Sequence, residues 1–169
     1  MPLDPKDENW ITDFIHNQLR FMPGAGPEYF FLPFSMNRPY TVYDISQMNK
    51  DQIDLLYELA PRALQNCLKP GYMLYAIDWY HNVVLYDPLL PEQEYSSRPT
   101  IRFQTKEGLG YYHGFYPDGD YFFYLDRYGS FGYLSHPWRE EVWIYGLSLV
   151  EEFEKIYPQL GWIPKASLR

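Results

Sequence analysis

The stretch from Tyr111 to Gly146 constrains the fold more strongly than any other part of this sequence. It holds three short aromatic runs with the character of strands: Tyr111 to Tyr116, Asp120 to Leu125 and Phe131 to Leu134. Pro, Asp and Gly separate the runs, and these residues preset or tolerate the backbone angles of tight turns. We therefore predict an antiparallel meander that ends at a His-Pro-Trp corner, residues 136 to 138.

Helical periodicity predicts three helices around this meander. The first should run from about Pro5 to Phe21. The second should start after Ser46 or Asn49, and Pro61 should either kink it or begin a new segment. The third should follow Gly146, where apolar residues recur on one side and glutamates on the other.

Other segments have the β-branched and aromatic composition of strands. They are Arg38 to Ile45, the hairpin of Tyr72 to Trp79 with Val83 to Tyr86, Thr100 to Thr105, and Val142 to Tyr145. Two stretches lack this signal. The sequence predicts a loop from Pro88 to Pro99 and an irregular tail from Pro158, because Pro interrupts both.

These elements predict one α+β domain over residues 1–169. The N-terminal, middle and C-terminal helices are expected to cover one face of a mostly antiparallel, aromatic-rich sheet. Aromatic residues form 20% of the chain, which provides enough large apolar surface to fill an interior and excludes general disorder.

The charge balance argues against binding to nucleic acid. Acidic residues outnumber basic ones by 22 to 14, which gives a formal net charge of −8. A nucleic-acid-binding protein needs a basic surface to neutralise phosphates, so we expect no nucleic-acid partner.

The sequence shows no signal-peptide pattern, no apolar segment long enough to span a bilayer, and one cysteine, Cys67. We therefore expect a cytoplasmic protein without a membrane partner.

The histidines and nearby carboxylates suggest one possible function, a small enzyme or a small-molecule-binding domain. The sequence has no Cys-His cluster and no His-Glu-x-x-His motif, so we expect neither a metal nor another cofactor. No serine lies in a Gly-x-Ser-x-Gly elbow, and no catalytic residue is predicted. A pocket at the corner would use five residues from separate parts of the chain: Asp78, His81, Asp120, His136 and Trp138.

Acidic residues on the predicted turns suggest a different function, binding to a protein. Asp118 and Asp120 flank Gly119, which fits a turn better than a calcium loop because the further oxygen ligands do not follow. Acids on loops, with aromatic anchors beside them, can contact a basic protein surface. Six residues are candidates for such contacts: Asp118, Asp120, Asp126, Trp138, Glu140 and Glu141.

Three blocks of the sequence resemble a bacterial family of uncharacterised domains, domain-of-unknown-function family 2716. The blocks are Y-A-I-D-W-Y-H from Tyr75, F-Y-P-D-G-D-Y from Phe115 and F-G-Y-L-S-H-P-W from Phe131. Two positions depart from the family pattern: Ser135 stands where a Gly is common, and Arg139 where a Glu is common. The resemblance implies an α+β fold and a bacterial origin, and it carries over no catalytic residue.

These observations lead to three hypotheses about function. The first is a non-enzymatic bacterial immunity protein that neutralises a toxin domain with a basic cleft, since small acidic cytoplasmic domains are similar in character to such proteins. The second is the enzyme or small-molecule-binding domain with a pocket around His81 and His136. The third is an adaptor domain with a protein partner unrelated to toxins.

Overall fold

The computed structural model describes residues 5–21, 38–79, 82–88, 93–95, 98–105, 108–112, 114–117 and 119–169. This part of the chain contains three α-helices, one π-helical turn and ten strands. In chain order they are α1 Pro5–Asp13, the π-helical turn Phe14–Gln18, β1 Tyr40–Asp44, α2 Lys50–Cys67, β2 Leu74–Asp78, β3 Asn82–Tyr86, β4 Gln93–Tyr95, β5 Arg98–Thr105, β6 Gly108–Tyr112, β7 Phe122–Asp126, β8 Gly132–His136, β9 Glu141–Tyr145, α3 Leu147–Ile156 and β10 Ile163–Leu168.

Seven strands form one sheet in the order β10-β1-β9-β8-β7-β2-β3, and its neighbouring strands pair antiparallel. Strands β4, β5 and β6 form a second, three-stranded antiparallel sheet. The predicted α+β fold with a mostly antiparallel sheet is therefore confirmed.

Helices pack on both faces of the seven-stranded sheet, whereas we expected them on one face. Side chains along a strand point alternately to the two faces. In β9, Val142 and Ile144 join the core formed with α2 and α3, while Trp143 and Tyr145 join the core formed with α1. Every residue of β7, β8 and β9 is buried. A sheet covered on both sides needs large apolar side chains at nearly every position, which accounts for the aromatic-rich sequence.

Aromatic rings from separate elements fill the core on the side of α2 and α3. Phe115 stacks on Tyr124 with ring centroids 4.3 Å apart, and Tyr133 meets Phe115 edge-on at 5.5 Å. The Tyr133 hydroxyl donates a hydrogen bond to the Phe115 carbonyl oxygen at 2.8 Å. Tyr133 can therefore be fully buried, because its polar end has a partner inside the core.

Local sequence signals place the first two helices where they were predicted. Asn49 caps α2, and it exchanges side-chain-to-backbone hydrogen bonds of 2.9 Å with Gln52 in a capping box. Pro61 lies inside α2 and does not begin a new helix. The helix from Pro5 continues beyond α1 through the π-helical turn.

The meander lies one strand further along the chain than predicted. The run from Tyr111 to Tyr116 is not its first strand, because β6 ends at Tyr112 and pairs with β5 in the second sheet. Gly114, with a φ of +90°, interrupts the extended run, and Phe115 is then buried in the core of the larger sheet. The meander consists of β7, β8 and β9 instead.

Two segments predicted to be irregular contain strands. The predicted loop from Pro88 to Pro99 holds β4 and the start of β5, which pair with each other. The tail after Pro158 forms β10, which pairs with β1 at the edge of the larger sheet. Pro164 fits an edge strand because one side of such a strand needs no ladder hydrogen bonds.

Gly146 joins β9 to α3, and a substitution there tests how closely the chain at Ser130 and Phe131 packs against it. It has a φ of +88° and donates its N–H to the Pro39 carbonyl oxygen at 2.8 Å. A Cβ at this position would lie 2.5 Å from the Ser130 carbonyl oxygen. We expect Gly146→Ala to lower the free energy of unfolding by about 3 kcal/mol, through backbone strain and a clash with the main chain. Urea denaturation would measure the loss.

The matched control is Gly71→Ala. Gly71 has a similar φ of +80°, but no atom lies within 4 Å of where its Cβ would be. We expect this variant to lose about 1 kcal/mol, from strain alone. Equal losses in the two variants would show that the clash at Gly146 has no energetic weight.

Candidate functional site

The register of the seven-stranded sheet gathers several predicted site residues at one end of its strands. Asp78 at the end of β2 lies opposite Phe122 at the start of β7. His136 at the end of β8 lies opposite Glu141 at the start of β9. Glu141 also lies opposite Asp44 at the end of β1. We refer to the end of the sheet that these five residues define as the corner end.

Three other predicted residues belong to the corner end. Trp138 and Glu140 lie in the turn between β8 and β9, and Asp120 comes two residues before β7. Asp118 and His81 lie outside the described residues. The sheet therefore brings most of the predicted pocket residues and most of the predicted partner contacts to one end, although they are far apart in the sequence.

Asp126 lies elsewhere and has a structural role. It lies opposite Leu74, at the other end of the strands, and it is 6% exposed. Its carboxylate accepts hydrogen bonds from the backbone N–H groups of Tyr128 at 3.2 Å and Phe131 at 3.0 Å. Asp126 thus closes the turn between β7 and β8, and its carboxylate presents little surface to a partner.

Backbone contacts hold the turn between β8 and β9 in one conformation. The Arg139 N–H donates to His136 Nδ1 at 3.3 Å, and the Glu140 N–H donates to the Pro137 carbonyl oxygen at 3.4 Å. Glu140 has a φ of +50°, in the left-handed region that is costly for a residue with a Cβ. In this conformation its carbonyl oxygen accepts a hydrogen bond of 2.9 Å from the Ile45 N–H. The turn is thereby attached to the chain that follows β1.

This turn presents a large aromatic side chain and a carboxylate to solvent. Trp138 is 49% exposed, and Glu140 is exposed as well. Asp78 and Asp120, at the same end of the sheet, are half-buried. The corner end therefore combines an exposed indole with acidic groups on neighbouring elements.

Asp44 is a residue of this end that the sequence analysis missed. Its Oδ1 accepts hydrogen bonds from the Ser46 backbone N–H at 2.9 Å and from the Ser46 hydroxyl at 2.6 Å. These bonds hold the pKa of the Asp44 carboxyl below its ordinary value, so the group stays ionised. The Asp-x-Ser pattern at the end of a predicted strand was the available signal.

Glu141 is buried and anchors the corner from inside. Its side chain is 1% exposed, and its Oε2 accepts hydrogen bonds of 2.8 Å from Trp143 Nε1 and from Arg139 Nε. Its Oε1 accepts from Lys165 Nζ on β10 at 2.7 Å. This carboxylate joins β9, the turn and β10, so it stabilises the corner and offers almost no surface to a partner.

His136 is also buried, among aromatic rings. Its ring centroid lies 4.7 Å from that of Tyr121, 5.2 Å from Trp143 and 6.1 Å from Phe21. Burial lowers the pKa of His136 to about 4, so the ring is neutral near pH 7. Since Nδ1 accepts the Arg139 N–H, the ring proton is on Nε2. His136 supports the corner and does not line an open cleft.

The described residues contain no group of three or more His, Cys, Asp or Glu side chains that could hold a metal ion. None of the described helices is both long and apolar enough to cross a membrane. The absence of a cofactor stays a prediction from the sequence.

The buried neutral His136 predicts a dependence of stability on pH. In the unfolded chain its pKa is near 6.5, so on acidification the unfolded state takes up a proton that the folded state refuses. We expect the free energy of unfolding to fall by about 1 kcal/mol per pH unit as the pH drops from about 6.5 to about 5. Most carboxylates titrate below this window. Urea titrations at several pH values would measure the slope.

The control variant is His136→Asn, whose amide oxygen can accept the Arg139 N–H but which does not titrate. We expect it to be less stable at pH 7 and to show a shallower slope in the same pH window. Parallel slopes in the two proteins would contradict the assignment of the pH effect to His136.

The left-handed conformation of Glu140 predicts a gain in stability from a smaller residue. We expect Glu140→Gly to raise the free energy of unfolding by about 0.5–1 kcal/mol, because relief of the backbone strain exceeds the added entropy of the unfolded chain. Glu140→Ala removes the same carboxylate but keeps the Cβ, so it should give no gain. A gain in both variants would attribute the effect to charge and not to backbone strain. Thermal unfolding would distinguish them.

Comparisons with known proteins identify the relatives of this chain. Residues 2–150 match the model of a family described as "Protein of unknown function (DUF2716)". The chain is 25% identical to the uncharacterized protein YxiI of Bacillus subtilis (strain 168), and the match covers 94% of each chain. No solved structure matches. The resemblance noted in the three sequence blocks is confirmed, and the chain belongs to the DUF2716 family.

Proposed function

We propose that this protein is a non-enzymatic bacterial immunity protein that acts in the cytoplasm. It binds a toxin domain with a basic cleft and neutralises it by occupying that cleft with its corner end. The observation that carries the proposal is the exposed Trp138, which shares this end of the sheet with Glu140 and with Asp44, Asp78 and Asp120.

The indole supports the proposal because of what it can contribute to an interface. Trp residues are enriched among the few side chains that carry most of the binding energy of protein complexes. Trp138 is 49% exposed. It follows a proline and lies in a turn that is held by backbone hydrogen bonds. A large side chain on a rigid turn loses little conformational entropy on binding.

The charges at the corner end support a basic partner. Arg139 and Lys165 bring two positive charges to this end, and both pair with the buried Glu141. Among the described residues, five carboxylates stand against them: Asp44, Asp78, Asp120, Glu140 and Glu141. Glu140, by contrast, is exposed at the tip of the turn. Together with the net charge of −8, this favours attraction of a basic surface and faster association with it. Asp118 remains a predicted contact outside the described residues.

The alternative function, an enzyme or small-molecule-binding domain around His81 and His136, receives less support. His136 is packed against three aromatic rings, and its Nδ1 already accepts a backbone hydrogen bond. A catalytic histidine needs access to its substrate. Asp78 and Asp120 therefore fit better as part of the acidic surface at the corner end than as part of such a pocket.

Co-expression with a candidate toxin domain, encoded next to this gene, tests the proposal. We expect the protein to restore growth of cells that express the toxin and to bind the purified domain at a 1:1 ratio. Trp138→Ala should raise the Kd by at least about tenfold, because it truncates the central anchor. Glu140→Gln should slow association at low salt and have less effect at high salt. Calorimetry and stopped-flow kinetics would measure these changes.

Two controls match these variants. Tyr128→Ala removes an aromatic side chain that is 67% exposed at the other end of the strands, and Glu151→Gln removes an exposed acid of α3. Both should change the Kd by less than about twofold. Binding that is equally sensitive to Tyr128→Ala and Trp138→Ala would move the interface away from the corner end. Absence of both a complex and protection would refute the immunity function.

A further inference from the structure

We propose that a pocket beside α3 is a binding site for a guanidinium cation. The pocket has a volume of about 330 Å³ and lies between α3, β1 and the edge strand β10. Its lining includes Tyr43, Tyr157, Glu154 and Arg169, with the hydroxyl-bearing residues Thr41 and Ser167. This volume suits a small ligand or one side chain.

The aromatic part of the lining favours a cation. Tyr43 is buried and stacks on Tyr157 of the α3 end, with ring centroids 5.2 Å apart and an interplanar angle of 30°. Because Tyr43 also packs against Trp162, at 5.3 Å between ring centroids, the half-buried Tyr157 is the ring that can present a face to the pocket. The face of a tyrosine ring carries partial negative charge and attracts a guanidinium group. Burial, with a further contribution from the Glu154 carboxylate, raises the pKa of Tyr43, so its hydroxyl stays neutral and can accept a hydrogen bond.

The charged part of the lining already holds a guanidinium group. Arg169 on the chain that follows β10 forms an ion pair with Glu154. The Arg169 side chain is 76% exposed, and exposed pairs of this kind are weak. A guanidinium from another molecule can therefore replace it, with the same planar geometry of donors against the carboxylate. Arg169 is in this sense an internal stand-in for the ligand.

This site is separate from the proposed toxin-binding surface. None of the residues that line the pocket belongs to the corner end: on β1 the pocket uses Thr41 and Tyr43, whereas the corner end includes Asp44, whose side chain points to the opposite face of the sheet. The inference therefore does not depend on the immunity function, and each can fail without the other. A ligand of this chemistry is either a free small molecule or an arginine side chain of a partner protein.

Titration with methylguanidinium, followed by NMR shifts of the pocket residues, tests the inference. Methylurea is the neutral isostere of this probe. At the same low-millimolar concentrations it should bind much more weakly than methylguanidinium. Arg169→Ala should tighten methylguanidinium binding by about two- to fivefold, because it removes the internal competitor. Glu154→Gln in the Arg169→Ala background should weaken binding by about tenfold or more.

Arg62→Ala is the matched control, because it removes an arginine from another exposed ion pair, that with Glu58 on α2. It should leave the affinity unchanged. Free L-arginine and a peptide with an internal arginine then distinguish the two sources of the ligand: tighter binding of the peptide indicates a protein partner. Equal binding of methylurea and methylguanidinium, or no saturable binding to the Arg169→Ala protein, would overturn the inference.

Discussion

The buried carboxylate of Glu141 is the interaction on which the shape of the corner depends. It receives hydrogen bonds from the turn through Arg139, from β9 through Trp143 and from the edge strand β10 through Lys165. A buried charge is tolerated only where such partners compensate for its lost hydration, so these three elements have to stay together. Loss of any one partner would leave the carboxylate inside the protein with incomplete compensation.

This arrangement separates acids that build the fold from acids that can contact a partner. Glu141 and Asp126 are buried and bind backbone or side-chain donors, although both were predicted to lie on a binding surface. Glu140 and Asp120, in contrast, retain exposed surface at the corner end. The difference between these adjacent residues follows from their positions, because Glu140 lies in the exposed turn whereas Glu141 begins β9, whose residues are all buried. The acidic surface at the corner end thus contains fewer residues than the sequence predicted, because Asp126 and Glu141 are buried.

Structural features that depend on neighbouring residues were predicted from the sequence, whereas features that depend on contacts between distant residues were missed. The cap of α2, predicted at Ser46 or Asn49 and found at Asn49, acts locally, as do the turn residues before β8. Strand β10 was missed because its pairing partner β1 lies at the other end of the chain, and no local pattern records that pairing. The same holds for the corner end, since only sheet register brings Asp44 and Asp78 to the same side as Trp138.

The conformation of Glu140 connects the stability of the corner with its proposed use. A glycine would fit the left-handed backbone at lower cost, yet the turn carries a carboxylate there. Its carbonyl oxygen holds Ile45, so the strained backbone also fixes the turn against the end of β1. The turn that exposes Trp138 is thereby held against the end of β1 by backbone hydrogen bonds before any partner arrives. Preorganisation of this kind lowers the entropic cost of binding, and this gives a physical reason for a protein to retain local strain at an interface.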